Sequence, residues 1–206
     1  MSLYQRLLGH PFVYDRIRPL AVGGIDMSPL FRMLEAQPGD VVLDVGCGTG
    51  IALDHLPPSV RYFGFDVDPV AVNRARERFG AREGVHLEVR QVTAADVAEL
   101  RPNRIILSGL LHHLDDATAA ALLEMCAQSD SVRRVATSDV VYLPGKHLSN
   151  LLASLDRGKH VRAEEDYPAL ANRAGLRVVD RRIVRCHPTR GLALYLMMAL
   201  DRGEGR

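Results

Sequence analysis

The segment Asp44-Val45-Gly46-Cys47-Gly48-Thr49-Gly50 constrains this chain more than any other. It follows directly on the apolar run 41–45, with Gly39 and Asp40 before it and an apolar stretch beginning at Ile51 after it. A short continuous apolar run bounded in this way reads as a buried parallel strand. Glycines spaced through the next turn let the chain reverse tightly and let a ligand approach the backbone, with a helix N-terminus expected beyond. A core that starts like this is built to receive a nucleotide-like molecule at the carboxyl end of its first strand.

The rest of the chain continues the alternation. Apolar positions in 2–20 recur with helical spacing until Gly23-Gly24, which predicts one or two short helices. Ser28-Pro29 reads as an N-cap with proline at the first helical position, for a helix ending near Gly39. Strands are then expected over 60–65, 85–92, 104–108 and 132–141, and helices over 69–79 and 117–127, with a loop or short helix through Leu100. Strands separated by helical patterns indicate βαβ units, hence an α/β, doubly wound, mostly parallel sheet. Beyond the Pro144-Gly145 turn, 147–155 and 164–173 look helical, and 176–184 and 192–200 look like consecutive strands forming an antiparallel pair at the sheet edge.

At 206 residues the length fits one domain, and 47% hydrophobic with 25% charged residues excludes disordered and fibrous classes. A net charge of +1 gives no footprint for nucleic acid. Cys47, Cys126 and Cys186 are scattered and form no C-x-x-C pair, so neither a disulfide framework nor a metal site is expected. Gln5, Arg6 and His10 interrupt any signal-peptide core, and no stretch approaches the roughly 18 apolar residues of a membrane span. These features predict a soluble, cytoplasmic protein with no membrane partner, monomeric or homodimeric.

The glycine spacing departs from the dinucleotide fingerprint, because the third glycine comes one residue early and Ile51 stands where it should be. An acid two residues before the first glycine also sits poorly beside a pyrophosphate and suits a positively charged ligand. D-x-G-x-G-x-G after the first strand resembles motif I of the class I S-adenosylmethionine-dependent methyltransferases. The resemblance covers about residues 40–140 and implies a Rossmann-like, seven-stranded sheet with a C-terminal antiparallel hairpin and S-adenosyl-L-methionine as cofactor. It places Asp44 near the cofactor's methionine end and makes Gly46, Cys47, Gly48 and Gly50 the cofactor loop. Phe63-Gly64-Phe65-Asp66-Val67-Asp68-Pro69 is similar to the ribose-binding segment, with Asp66 as ribose ligand and Val67 beside adenine, whereas Asp68 before Pro69 reads as a helix cap. For the adenine amino group, counting along the third strand gives Gln91, whereas local likeness favours Asp96.

Ser108-Gly109-Leu110-Leu111-His112-His113-Leu114 resembles the family segment beside the transferable methyl group. Histidine titrates near neutrality, so His113, with His112 behind it, is a candidate proton acceptor or acceptor-orienting group. Tyr14, with Tyr4 behind it, is the matching candidate from an N-terminal lid, and Ser108 is a cofactor neighbour. Asp139 ends the fifth strand on the ligand-binding edge and is a candidate at the acceptor site. Arg157 and Arg162, in a stretch similar to one found in small bacterial methyltransferases, are candidates for gripping an acceptor's carboxylate or phosphate. The expected organisation is a single methyltransferase domain: 1–38 N-terminal helices, 39–141 cofactor-binding core, 142–175 a substrate-covering helical insert, and 176–206 terminal strands.

The expected activity is methyl transfer to oxygen, nitrogen or carbon of a small-molecule acceptor. The alternatives are a cofactor-binding protein without methyl transfer, such as a cyclase or regulatory partner, and, less favoured, an NAD-dependent oxidoreductase. The near-neutral total hides an asymmetry: residues 141–206 carry 12 Lys or Arg against 7 Asp or Glu, a net of +5, and residues 1–140 carry a net of −4. The basic part is the expected acceptor cover, which favours an anionic or polar acceptor.

Overall fold

The computed structural model describes residues 25–154, 158–186 and 193–203. Helix α1 (Ser28–Leu34) leads into strand β1 (Val41–Val45), followed by β2 (Arg61–Asp66), α2 (Pro69–Phe79), β3 (Val85–Val89), α3 (Ala94–Leu100) and β4 (Arg104–Ser108). Then come α4 (Asp116–Gln128), β5 (Arg134–Tyr142), α5 (His147–Ser154), β6 (Arg162–Ala163), α6 (Asp166–Arg173), β7 (Leu176–Arg185) and β8 (Leu194–Arg202). Strand order is β3-β2-β1-β4-β5-β8-β7, with the short β6 paired to β5. Pairs from β3 through β5 are parallel, and β8 runs antiparallel between β5 and β7. This is the expected mostly parallel, doubly wound α/β sheet.

Alternation along β1 explains the layers. Leu43 and Val45 face one apolar cluster with Val97, Leu123 and Leu170 from α3, α4 and α6, while Val42 faces a second cluster with Leu30, Leu34 and Val72 from α1 and α2. Seven consecutive residues of β8 are buried, as a strand covered on both faces requires. Order reverses at β1 and β4, so their carboxyl ends open a crevice there.

Several expected boundaries move for local reasons. Ser28 is inside α1 rather than its cap: its backbone N–H donates to Asp26 Oδ1 at 2.9 Å, and the helix ends at Glu35 in the left-handed region (φ 53°), well before Gly39. The stretch after the glycine loop is a four-residue 3-10 turn, Ile51–Asp54, rather than a helix. Strand β3 stops at Val89, and Thr93 then caps α3. The terminal strands do pair, but β8 inserts next to β5 and leaves β7 as the edge. The helices expected within 2–20 lie outside the described residues. Among the described residues no helix is long and apolar enough to cross a membrane.

Strand β2 tolerates no side chain at Gly64. A Cβ there would stand 2.8 Å from Tyr62 Cε1, 2.9 Å from Leu87 Cδ2 and 3.0 Å from Cys47 Cβ. Overpacking of this kind costs about 1–3 kcal/mol. Gly64→Ala is therefore expected to lower the unfolding free energy by that amount, seen as a lower urea midpoint with an unchanged m-value; an unaltered midpoint in equilibrium unfolding would refute the packing argument.

Candidate functional site

The glycine loop is stitched to the end of β2 by backbone hydrogen bonds. Gly46 and Cys47 N–H both donate to the Phe65 carbonyl, at 2.8 and 3.1 Å. Gly48 N–H donates to Asp66 Oδ2 and Asp68 N–H to Asp66 Oδ1, each at 2.8 Å. Gly46, Gly48 and Gly50 all have positive φ (76°, 52° and 73°), conformations that other residues adopt only with strain. At Gly50 close packing adds to this, because a Cβ would stand 3.2 Å from both Ala75 and the Phe79 ring of α2. Asp68 caps α2, its Oδ1 accepting from Val70 N–H at 2.9 Å.

Against this loop lies a cavity of about 660 Å³. Of the residues expected to hold cofactor, Gly46, Asp66, Val67 and Ser108 line it, and so does His113. Asp44, Cys47, Gly48 and Gly50 are not in its wall. Asp44 instead lies in the core behind the loop, accepting a hydrogen bond from the Tyr62 hydroxyl at 2.6 Å, with Oδ1 buried and unpartnered among the described residues. Val67 is an apolar side chain left 63% exposed, and it stands at the cavity wall.

Gln91 lines the cavity and Asp96 does not. Asp96 closes a capping box with Thr93 and receives both ends of the Arg90 fork, at 2.8 and 2.7 Å. The Arg90 guanidinium and the Thr93 donors hold its carboxyl well below the usual carboxylate range. Its oxygens are thus engaged by Arg90 and Thr93, and of the two residues expected near adenine Gln91 is the one in the cavity wall. Arg90 lies 4.3 Å over the Phe65 ring and is also tied to Glu88 at 2.7 Å, so it is a fixed part of the wall.

Sequence reasoning missed the far wall, which is one face of α4: Thr118, Ala121, Leu122 and Met125. Their spacing of three, four and seven residues was a readable helical stripe. Arg90 had no such signal, since its partners Glu88 and Asp96 meet it only in the folded loop.

After β4, Gly109 turns at φ 66° and donates its N–H to the Ser138 carbonyl at 2.6 Å, leading into a 3-10 turn over Leu111–His113. His112 is buried, with Nδ1 2.8 Å from Asp139 Oδ1 and its backbone N–H donating to the same oxygen at 3.1 Å. Burial pushes the Asp139 carboxyl up, opposed by His112. Asp139 and His112 therefore form an interior pair rather than part of the cavity wall. The His113 ring lies 4.2 Å from that of His112, tilted by 39°, and stands at the cavity.

Arg162 does not present a free fork to an acceptor, contrary to expectation. It is buried, and its guanidinium donates to the carbonyls of Leu111 (2.7 Å), Leu114 (2.8 Å) and His160 (3.2 Å) and to Asp116 Oδ1 (2.9 Å). Arg157, Tyr14 and Tyr4 lie outside the described residues.

Comparison with known proteins adds a family likeness over part of the chain. Residues 43–129 match a family model described as a methyltransferase domain. A ribosomal protein L11 methyltransferase of Symbiobacterium thermophilum is 46% identical over 80 residues, 36% of this chain and 26% of that protein, so the match spans about a quarter of its length. The 1,6-didemethyltoxoflavin-N1-methyltransferase of Burkholderia thailandensis, solved with 1,6-didemethyltoxoflavin and S-adenosylhomocysteine, has a TM-score of 0.65 at 21% identity over 98% of this chain and 89% of that one. The N-methyltransferase NodS of Bradyrhizobium japonicum, solved with S-adenosylhomocysteine, scores 0.64 at 18% identity over 97% and 91% of the two chains. These structures share the expected fold.

Burial pushes the Asp44 carboxyl up to about 7, against the opposing hydrogen bond from Tyr62. In the unfolded chain it titrates near 3.9, so between about pH 4 and pH 7 the folded state binds more protons than the unfolded one. Stability from this group is full below pH 4 and is lost as pH rises through 7. Asp44→Asn is expected to flatten that decline in urea midpoints measured from pH 4 to 8; an identical slope in the variant would refute it.

Proposed function

From the premise that residues 43–129 form a methyltransferase domain, we propose that the chain transfers a methyl group from S-adenosyl-L-methionine to oxygen, nitrogen or carbon of a small-molecule acceptor. The observation that carries this is Asp66 in the cavity wall beside Gly46. A carboxylate has about four lone-pair sites, and Asp66 spends one on each oxygen holding Gly48 and Asp68, leaving acceptor capacity for two ribose hydroxyls. Gly46, without a Cβ, leaves its backbone open, the nearest side chain being Leu110 at 3.5 Å from where a Cβ would stand. Val67 and Leu110 offer apolar surface for a purine, and Gln91 an amide for its polar edge. The residues present thus fit the cofactor, which when bound supplies an electrophilic methyl carbon on a sulfonium.

The chain's own task is to align the acceptor and manage its proton. His113, exposed to the cavity from the turn after β4, is the group with suitable proton chemistry. A cavity of about 660 Å³ falls within the range of small-molecule clefts, roughly 300–1,000 Å³. The ribosomal protein L11 methyltransferase is matched over 26% of its length and 36% of this chain, too little to carry its acceptor over. An NAD reading is opposed by the short 3-10 turn after the glycine loop, which lacks the aligned dipole that holds a pyrophosphate.

Calorimetric titration is expected to show S-adenosylhomocysteine binding and no NAD binding; binding of NAD alone would overturn the reading. Asp66→Asn should weaken S-adenosylhomocysteine by about tenfold or more, equivalent to about 1.4 kcal/mol. With labelled cofactor and a metabolite panel, transfer to an acceptor separates an enzyme from a cofactor-binding partner. His113→Ala should lower turnover by about 100-fold or more on an acceptor that must lose a proton. Full turnover in that variant would remove His113 from the chemistry.

A further inference from the structure

We propose that Arg162 is a positioning residue for His113, acting as the clamp that fixes the turn after β4 from the side of the C-terminal segment. The inference rests on the reading of His113 as the acceptor's proton partner. In the turn 111–114 the Leu111 side chain is in the core, His112 is buried in a polar pair, and His113 and Leu114 line the cavity. Its two flanking carbonyls, Leu111 and Leu114, both accept from the Arg162 guanidinium, at 2.7 and 2.8 Å. A single planar group therefore sets the distance across the turn that carries the histidines. Asp116, the first residue of α4, accepts from Arg162 Nε at 2.9 Å and ties the same fork to the helix that follows.

The neighbouring chain closes the clamp. His160 N–H donates to the His112 carbonyl at 3.0 Å. Gly158 lies so close to His112 that an added Cβ would overlap the ring and stand 2.7 Å from its carbonyl oxygen. Arg162 is itself held, since its N–H donates to the Tyr167 hydroxyl at 3.4 Å and that hydroxyl donates to the Val140 carbonyl at 2.8 Å. From the opposite side Asp139 grips the ring and backbone of His112. The His113 ring lies 4.2 Å from the His112 ring, tilted by 39°, and His112 is held by Asp139, Gly158 and His160, so the placement of His113 follows from the clamp. A displacement of about 1 Å in a reacting group can cost about 100-fold in rate, so such a clamp has kinetic consequences.

The test uses the full chain labelled with 15N-histidine. Arg162→Lys keeps the charge and loses the fork. The expected result is a His113 ring titration displaced by about 0.5 pH unit or more, with turnover reduced about tenfold or more and S-adenosylhomocysteine affinity within about threefold of wild type. The groups facing the turn, His112, Asp115, Asp116, Asp139 and His160, are unchanged in the variant and the charge at 162 is kept, so the displacement reports geometry. An unchanged His113 titration overturns the proposal, whether or not turnover falls. If Arg162→Lys does not fold, Tyr167→Phe replaces it; that change removes only the hydroxyl that accepts from the Arg162 N–H and leaves every charge at the turn in place, and the same two results decide. The His113→Ala assay separately reports on the functional reading, so the two can fail independently.

Discussion

The paired hydrogen bonds that the Phe65 carbonyl accepts from Gly46 and Cys47 hold the carboxyl edge of this sheet together. They lock the turn after β1 onto the end of β2, and Gly48 extends the lock to the Asp66 carboxylate. The arrangement needs Gly64 to be bare, because Cys47 Cβ sits 3.0 Å from where a side chain on Gly64 would begin. It also needs three residues at positive φ in five positions, which only glycines supply at low cost. The cavity wall is thus a consequence of backbone geometry first, and its one carboxylate is aimed by the same bonds that close the turn.

What the sequence made legible follows from how local each signal is. Strands β1 and β4 and helix α2 have the expected ends, because a buried parallel strand is an unbroken apolar run and Asp68-Pro69 is a helix start. Local likeness reads Asp96 as an adenine ligand; its capping box with Thr93 and its hold on the Arg90 fork appear in the folded loop, where β3 ends at Val89. The pairing of His112 with Asp139 spans 27 residues and the clamp of Arg162 on Leu111 spans 51, and nothing in spacing foretells either. The position of β8 between β5 and β7 is likewise set by long-range antiparallel pairing rather than by strand order in the chain.

The charge asymmetry between the two parts of the chain takes a different meaning in the fold. The basic excess of residues 141–206 pointed to an anion-gripping cover, but Arg162 is spent on carbonyls and Asp116. Arg181 pairs with Glu165 and Arg182 with Asp180, on an exposed edge strand that also carries Arg177 and Arg185. Charged side chains along a long sheet edge disfavour pairing with another chain, which accounts for much of the excess without any ligand.

Within the cavity the charged wall is Asp66 and Arg90, and Arg90 is already neutralised by Glu88 and Asp96. The remaining wall is largely apolar, formed by Leu110, Leu114, Leu122 and Met125 around His113. A site like this discriminates by shape and apolar contact, where one methylene changes selectivity by about 10- to 200-fold. Net charge summed along a chain is not the field in a site; that field is set by which charges the fold leaves without an opposite charge, and in the described cavity wall Asp66 has only backbone N–H partners whereas Arg90 is paired with two carboxylates.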